Sequence, residues 1–145
     1  MLGSCLGLVA VDKETSIVRL IHYTLQEYLS HSGNLPDAQK LLAQTCLTYL
    51  NHGQVKRLPA NKIPDLSDMP FLEYCSFYWG SHAKVELSGG VKSLALDLLN
   101  LYDNHVSATL LFERASSHFS FNCSLFTGLH CASYFGIVEL VASLI

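Results

Sequence analysis

The stretch that most constrains this chain is TGLHCASYFGIVELVASLI, Thr127 to Ile145. Thr127 and His130 stand three apart at the start of a short helix; small residues, a glycine turn and a second apolar helix follow. The spacing predicts that Thr127 caps a helix over Leu129 to Tyr134, its hydroxyl bonded to the His130 imidazole, for about 0.5–2 kcal/mol. Ala132, Leu140, Val141 and Leu144 are expected to face inward. A helix pair this small stabilises only when stacked on neighbours, and its second helix should keep a bare apolar side for the next unit. Self-association, or fraying from Gly136 onward, is the expected consequence.

The rest of the chain can supply one such neighbour. Its 145 residues suit one domain by length, half of them are hydrophobic, and only 14% are charged. That composition excludes disorder. A net charge of −3 without a Lys/Arg run argues against nucleic acid and against an anionic membrane. No stretch approaches the ~20 apolar residues of a membrane span. The opening MLGSCLGLVAV lacks the positive start of a signal peptide and runs into Asp12. Cys5, Cys46, Cys75, Cys123 and Cys131 are odd in number, widely spaced and free of any CxxC. They read as reduced, unbridged thiols of a cytoplasmic protein.

Residues 6 to 22 predict a β-hairpin, LGLVAVD and SIVRLIH around the polar turn Asp12 to Thr15. Both faces of each strand carry apolar residues, which predicts burial on two sides. Arg19, the one charge in the second strand, reads as a surface residue. Thr24 and Glu27 have the spacing of a capping box, and Tyr23 and Tyr28 that of a hydrophobic staple. The helix they begin, with Leu25 and Leu29 on its apolar stripe, should end at Ser32-Gly33-Asn34.

Helical spacing then dominates from Pro36 to about Ser117. Ala38, Leu41, Leu42, Cys46, Tyr49 and Leu50 form one predicted stripe. Asn51 to Met69, polar and carrying Pro59 and Pro64, reads as a long loop. Phe71, Leu72, Cys75, Tyr78, Trp79 and His82 form the next stripe, behind Pro70 in a first helical turn. Gly89-Gly90 reads as a break before Val91, Leu94, Ala95, Leu98, Leu101 and Tyr102. A helix over Val106 to Ala115 and a polar link from Ser116 to Ser124 complete the series. The fold class is therefore mainly α: a short β-hairpin, an irregular α-helical layer and a terminal helix pair.

Signatures of catalysis are absent. There is no GxxxxGK[ST] or GxGxxG phosphate loop, and no GxSxG or HExxH. Cys46/His52 and Cys75/His82 are close enough in sequence to consider as nucleophile pairs. Thiolate chemistry needs an electropositive, accessible setting, so a core stripe is the better account of Cys75 and His82. The seven histidines offer no i,i+4 pair and no ligand spacing to two cysteines, so no metal or cofactor is expected. His22, at the end of the second strand, is the remaining candidate. Its side chain lies within reach of the positive end of the following helix, where anions are favoured; a purely structural histidine is the other reading.

VRLIHYTLQEYL (Val18 to Leu29) resembles the closing strand and next helix of the winged-helix domain in NACHT-type STAND nucleotidases. CLTYL (Cys46 to Leu50) and FLEYCSFYWGSHA (Phe71 to Ala83) are similar to the helical stretch that follows it in fungal NACHT–ankyrin proteins. Thr127 to Ile145 resembles the opening of an ankyrin repeat, a unit of about 33 residues, with Gly128 standing where that repeat usually has Pro and Cys131 where Ala is common. The resemblance implies three segments: residues 1–31, the C-terminal part of the winged helix with the hairpin as its wing; 32–120, an α-helical spacer; and 121–145, an incomplete first ankyrin repeat. It further implies that His22 is a nucleotide sensor that touches the β-phosphate of ADP when the NACHT core, absent from this chain, is present. Gln26, Glu27 and Tyr28 are the accompanying helix signature.

The function implied is that of a non-enzymatic connector and protein-interaction region in an NLR-like, innate-immunity-like signalling NTPase. It would link nucleotide state to protein partners recognised by ankyrin repeats, in a longer parent protein. A free-standing ankyrin-type adaptor or scaffold is the alternative, and a small Cys/His hydrolase a third. The partner and its binding residues are not readable from the sequence.

Overall fold

Asp12 makes the first reversal of the chain. Its Oδ1 accepts from the backbone N–H of Glu14 at 3.0 Å and of Thr15 at 3.4 Å, the side-chain-closed turn that Asp favours. Hydrogen bonds from the Thr15 side chain and then from both backbone groups hold its carboxyl below the usual carboxylate range. Strands β1 (Val9–Val11) and β2 (Val18–Leu20) pair antiparallel around it, Val9 opposite Leu20 and Val11 opposite Val18. Helix α1 (Tyr23–His31) follows.

The computed structural model describes residues 8–12, 14–15, 17–31, 38–115 and 126–145, with backbone alone at 26, 29–31 and 115. The helix-ending Ser32-Gly33-Asn34, the polar link, Cys5 and Cys123 lie outside the described residues. The chain divides into two units, Met1–Asp37 and Ala38–Ile145. Helices read as spacer and helices read as terminal repeat belong to the second.

Two expectations about the first unit are corrected. Burial on both faces of the hairpin is not found there: Val9 and Leu20 on one face are half-buried, but Leu8, Ala10, Ile17 and Ile21 on the other are exposed. A two-stranded ribbon and one short helix contain too little material to cover both faces. The helix also starts two residues earlier than the Thr24 cap requires. Tyr23 is its first residue, and the Thr24 N–H bonds to the His22 ring at 3.2 Å. His22 is therefore the cap, and Tyr23 and Tyr28, both exposed, lose the staple register.

Among the described residues of the second unit every regular element is helical. Helix α2 (Ala38–Leu50) lies against α4 (Pro70–Val85) and α5 (Gly89–Leu99). It buries Ala43, Cys46, Leu47 and Leu50, an i, i+3, i+4, i+7 stripe. Leu41 and Leu42 were expected inside and are exposed; with two partners seated over Ala43 and Leu47, the helix turns that side to solvent. The expected long loop contains a short helix, α3 (Gly53–Lys56), whose Val55 is buried. Ile63, Leu66 and Met69 from the same stretch pack on the core. Gly89 and Gly90 do not break the chain but open α5.

A 3₁₀ turn (Tyr102–Asn104) leads into α6 (Val106–Ala115), the predicted bounds. Ser76 and Ser107 share a buried 2.8 Å hydrogen bond between α4 and α6. Asn51 donates from Nδ2 to the carbonyls of Leu47 and Leu94, 2.9 Å each, tying the end of α2 to α5. The terminal pair, α7 (Gly128–Phe135) and α8 (Val138–Leu144), packs on α5 and α4. Trp79, fully buried, centres the core; such a side chain contributes several times the ~0.8 kcal/mol of one buried methylene.

Candidate functional site

Thr127 begins the terminal pair as its sequence predicts. Its Oγ1 lies 2.8 Å from His130 Nδ1, and its backbone N–H donates to the same nitrogen at 3.3 Å. Gly136 closes α7 in the left-handed conformation, φ 66°, its N–H bonded at the helix end. Cys131, Ala132, Phe135, Ile137 and Leu140 are buried, and Val141 and Leu144 pack on the core from partly buried positions. On the other side Val138 is 78% exposed. The second helix thus has one buried face and one bare apolar flank.

Two glycines let this pair dock. A Cβ on Gly128 would lie 2.1 Å from the Leu99 carbonyl oxygen, and one on Gly80 would lie 2.2 Å from the Phe135 ring. Phe135 fills the space above Gly80 and meets Trp79 edge-on, centroids 5.2 Å apart. Sequence reasoning missed both contacts, because neither partner is near its glycine in sequence.

His22 lies in the first unit and is exposed. Its Nδ1 takes the Thr24 backbone N–H and sits 2.8 Å from Thr24 Oγ1. Accepting through Nδ1 places the ring proton on Nε2, an N–H donor at the start of α1. Glu27 and Tyr28 are exposed on α1; the Gln26 side chain is outside the described residues.

The same device recurs. His52 Nδ1 accepts the Gln54 N–H at 3.4 Å at the start of α3, and His105 Nδ1 accepts the Ser107 N–H at 3.1 Å at the start of α6. His105 Nε2 donates to the Leu50 carbonyl at 3.1 Å, so both ring nitrogens are satisfied. Burial, with Lys56 nearby, lowers its pKa against the opposing effect of the Leu50 hydrogen bond. A histidine just ahead of a helix start is the signal that could have revealed this capping role.

Cys75 and His82 do not share a hydrogen bond. Cys75 is completely buried; the neighbouring Cys46 thiol, then burial, push it far above the usual thiol range. His82 turns elsewhere: Nδ1 meets Gln39 Oε1 at 2.6 Å and Nε2 meets Tyr74 Oη at 2.9 Å. Burial lowers its pKa. The expected single stripe on α4 is in fact two faces. Leu72, Cys75, Ser76, Trp79 and Ala83 are buried, while Phe71, Tyr74 and Tyr78 form an exposed aromatic row ending at His82. Cys131 is also buried, which pushes its thiol up to about 12. The three described cysteines are unbridged.

Among the described residues, no group of three or more His, Cys, Asp or Glu is placed to hold a metal ion, and no helix is long and apolar enough to cross a membrane. No protein-family model, curated protein or solved structure matches this chain.

Proposed function

We propose that this chain is a non-enzymatic connector in an NLR-like signalling NTPase of the NACHT–ankyrin type, acting in the cytoplasm. The terminal helix pair carries the reading. It has a Thr-x-x-His start, a left-handed glycine between helices, one face docked on α4 and α5, and a bare flank on α8 where a further repeat would stack. In this reading the helical body of residues 38–145 is the seat of an ankyrin array. The array recognises a protein partner, and the segment around His22 senses the nucleotide state of an ATPase core. A rigid-body move of the winged helix against that core would couple the two. The exposed Nε2 donor expected of His22 suits a phosphate oxygen.

An adaptor without any ATPase is the second reading. It is favoured by the second unit having its own core, formed from residues 43–140 without the hairpin.

The test appends two ankyrin repeats after Ile145. Melting followed by Trp79 fluorescence should shift upward as one cooperative transition, because Trp79 touches Phe135 of the terminal pair. An unchanged midpoint, with α7 and α8 equally protected from hydrogen exchange in both proteins, would sink the repeat reading. A phosphate loop upstream in the full-length protein separates the two readings: its presence selects the connector, in which His22→Ala should weaken ADP retention, and its absence selects the adaptor.

A further inference from the structure

A hollow of about 420 Å³ opens where α4, α6 and α7 meet. Arg114 enters it from α6 and Lys84 from α4, and among the described residues no carboxylate lines it. Glu73 and Glu113 border the adjoining hollow on the other side of Arg114. Neither cation forms a salt bridge within 4 Å among the described residues, although, after the Tyr78 hydrogen bond, the Glu73 carboxylate also lies near enough to favour the charged form of Arg114. Arg114 is held in place. The Arg114 guanidinium lies 4.4 Å above the Phe77 ring and 5.3 Å from that of Tyr78, and its Nη2 donates to Tyr78 Oη at 3.4 Å. Stacking takes the face of the guanidinium and leaves its N–H edge for an oxyanion, the use to which a planar fork is suited. Lys84 Nζ lies 3.1 Å from where a Cβ on Gly136 would be. That is the carbonyl end of α7, which favours a cation.

The remaining lining sets the rest of the ligand. Ser81 brings a hydroxyl, Phe135 an apolar wall, and Tyr134 a half-exposed ring. Two cations suit a doubly charged anion better than a carboxylate, and the Tyr134 ring offers a surface on which an aromatic group can stack. We propose that this hollow binds a phosphate monoester carried on an aromatic ring, either free or as a phosphotyrosine side chain. The phosphate meets Arg114 and Lys84, and the ring lies against Tyr134. This site stands apart from the ankyrin reading and needs no further repeats.

Calorimetric titration of the full chain with phenyl phosphate, inorganic phosphate, benzoate and the peptide Ala-Ala-phosphotyrosine-Ala-Ala tests it. Phenyl phosphate should bind at least tenfold more tightly than inorganic phosphate or benzoate. Arg114→Gln should weaken it tenfold or more and Lys84→Gln at least threefold, both variants melting like the parent. Tyr134→Ala should reduce the preference for phenyl over inorganic phosphate. A phosphopeptide that binds more tightly than phenyl phosphate assigns a protein-borne ligand, and one that binds more weakly assigns a free one; both support the site. Equal binding of phenyl and inorganic phosphate, binding indifferent to Arg114→Gln, or no binding at millimolar ligand would overturn the proposal.

Discussion

Gly128 rests so closely on Leu99 that a Cβ there would lie 2.1 Å from the Leu99 carbonyl oxygen. This contact seats the first turn of α7 on the last turn of α5. It also explains why a residue without a side chain stands at position 128: any Cβ would strike the same carbonyl.

Gly128→Ala and Gly128→Pro are both expected to destabilise the terminal pair. In an open helix Gly→Ala would stabilise by roughly 0.5–1 kcal/mol. Here overpacking against backbone that cannot move aside should cost about 1–3 kcal/mol and reverse the sign. Urea unfolding followed by Trp79 fluorescence gives the measurement; a more stable Gly128→Ala protein would show that α7 does not dock on Leu99.

Gly80 and Phe135 should behave as a coupled pair. Gly80→Ala drives a methyl into the Phe135 ring, and Phe135→Leu alone leaves a gap beside Trp79. The double variant should be more stable than the sum of the two losses predicts, with an interaction energy of about 0.5–3 kcal/mol from a double-mutant cycle. Simple additivity would mean that the ring does not lie over Gly80 in solution.

How much of this was legible from sequence differs by element. Val106 to Ala115 could be bounded because its apolar spacing and flanking polar residues agree. The Thr127–His130 bond was legible because both groups lie within one helical turn. The inner face of α2 was not: stripes through Leu41–Leu42 and through Ala43–Leu47 share Cys46 and Leu50, and only the positions of α4 and α5 choose between them. The aromatic row of α4 was misread as core for a related reason, since Phe71 and Tyr78 are as apolar as the buried residues one position away. Arg114 and Lys84 are thirty positions apart, and nothing local brings them to one hollow.

The thiols offer a third check. Cys46, Cys75 and Cys131 are at most 1% exposed, and burial disfavours the reactive thiolate. Under native conditions the Cys131 thiol should label with a thiol-specific reagent at least tenfold more slowly than it does in denaturant, as read by peptide mass spectrometry. Fast native labelling at Cys131 would mean that the interface between α7 and the helical body opens readily.

The link from His105 to Leu50 predicts an acid-sensitive fold. The neutral ring both accepts the Ser107 N–H and donates to the Leu50 carbonyl, joining the start of α6 to the end of α2. Protonation would remove the acceptor and place a charge in a buried site near Lys56. Because the folded-state pKa is lowered, stability is fully present above the unfolded value of about 6.5. It is lost as pH falls through the lower folded value, with a slope of up to about 1.4 kcal/mol per pH unit for this group. His82, also lowered but more exposed, adds a smaller slope of the same sign. His105→Asn retains a capping side chain but cannot reach Leu50; the orphaned carbonyl should cost about 1–3 kcal/mol at neutral pH. The variant should also lose part of the decline over the interval below about pH 6.5, so the two stability curves converge toward acid. Parallel curves across that interval would show that His105 does not titrate against the fold, and that Leu50 is not its partner.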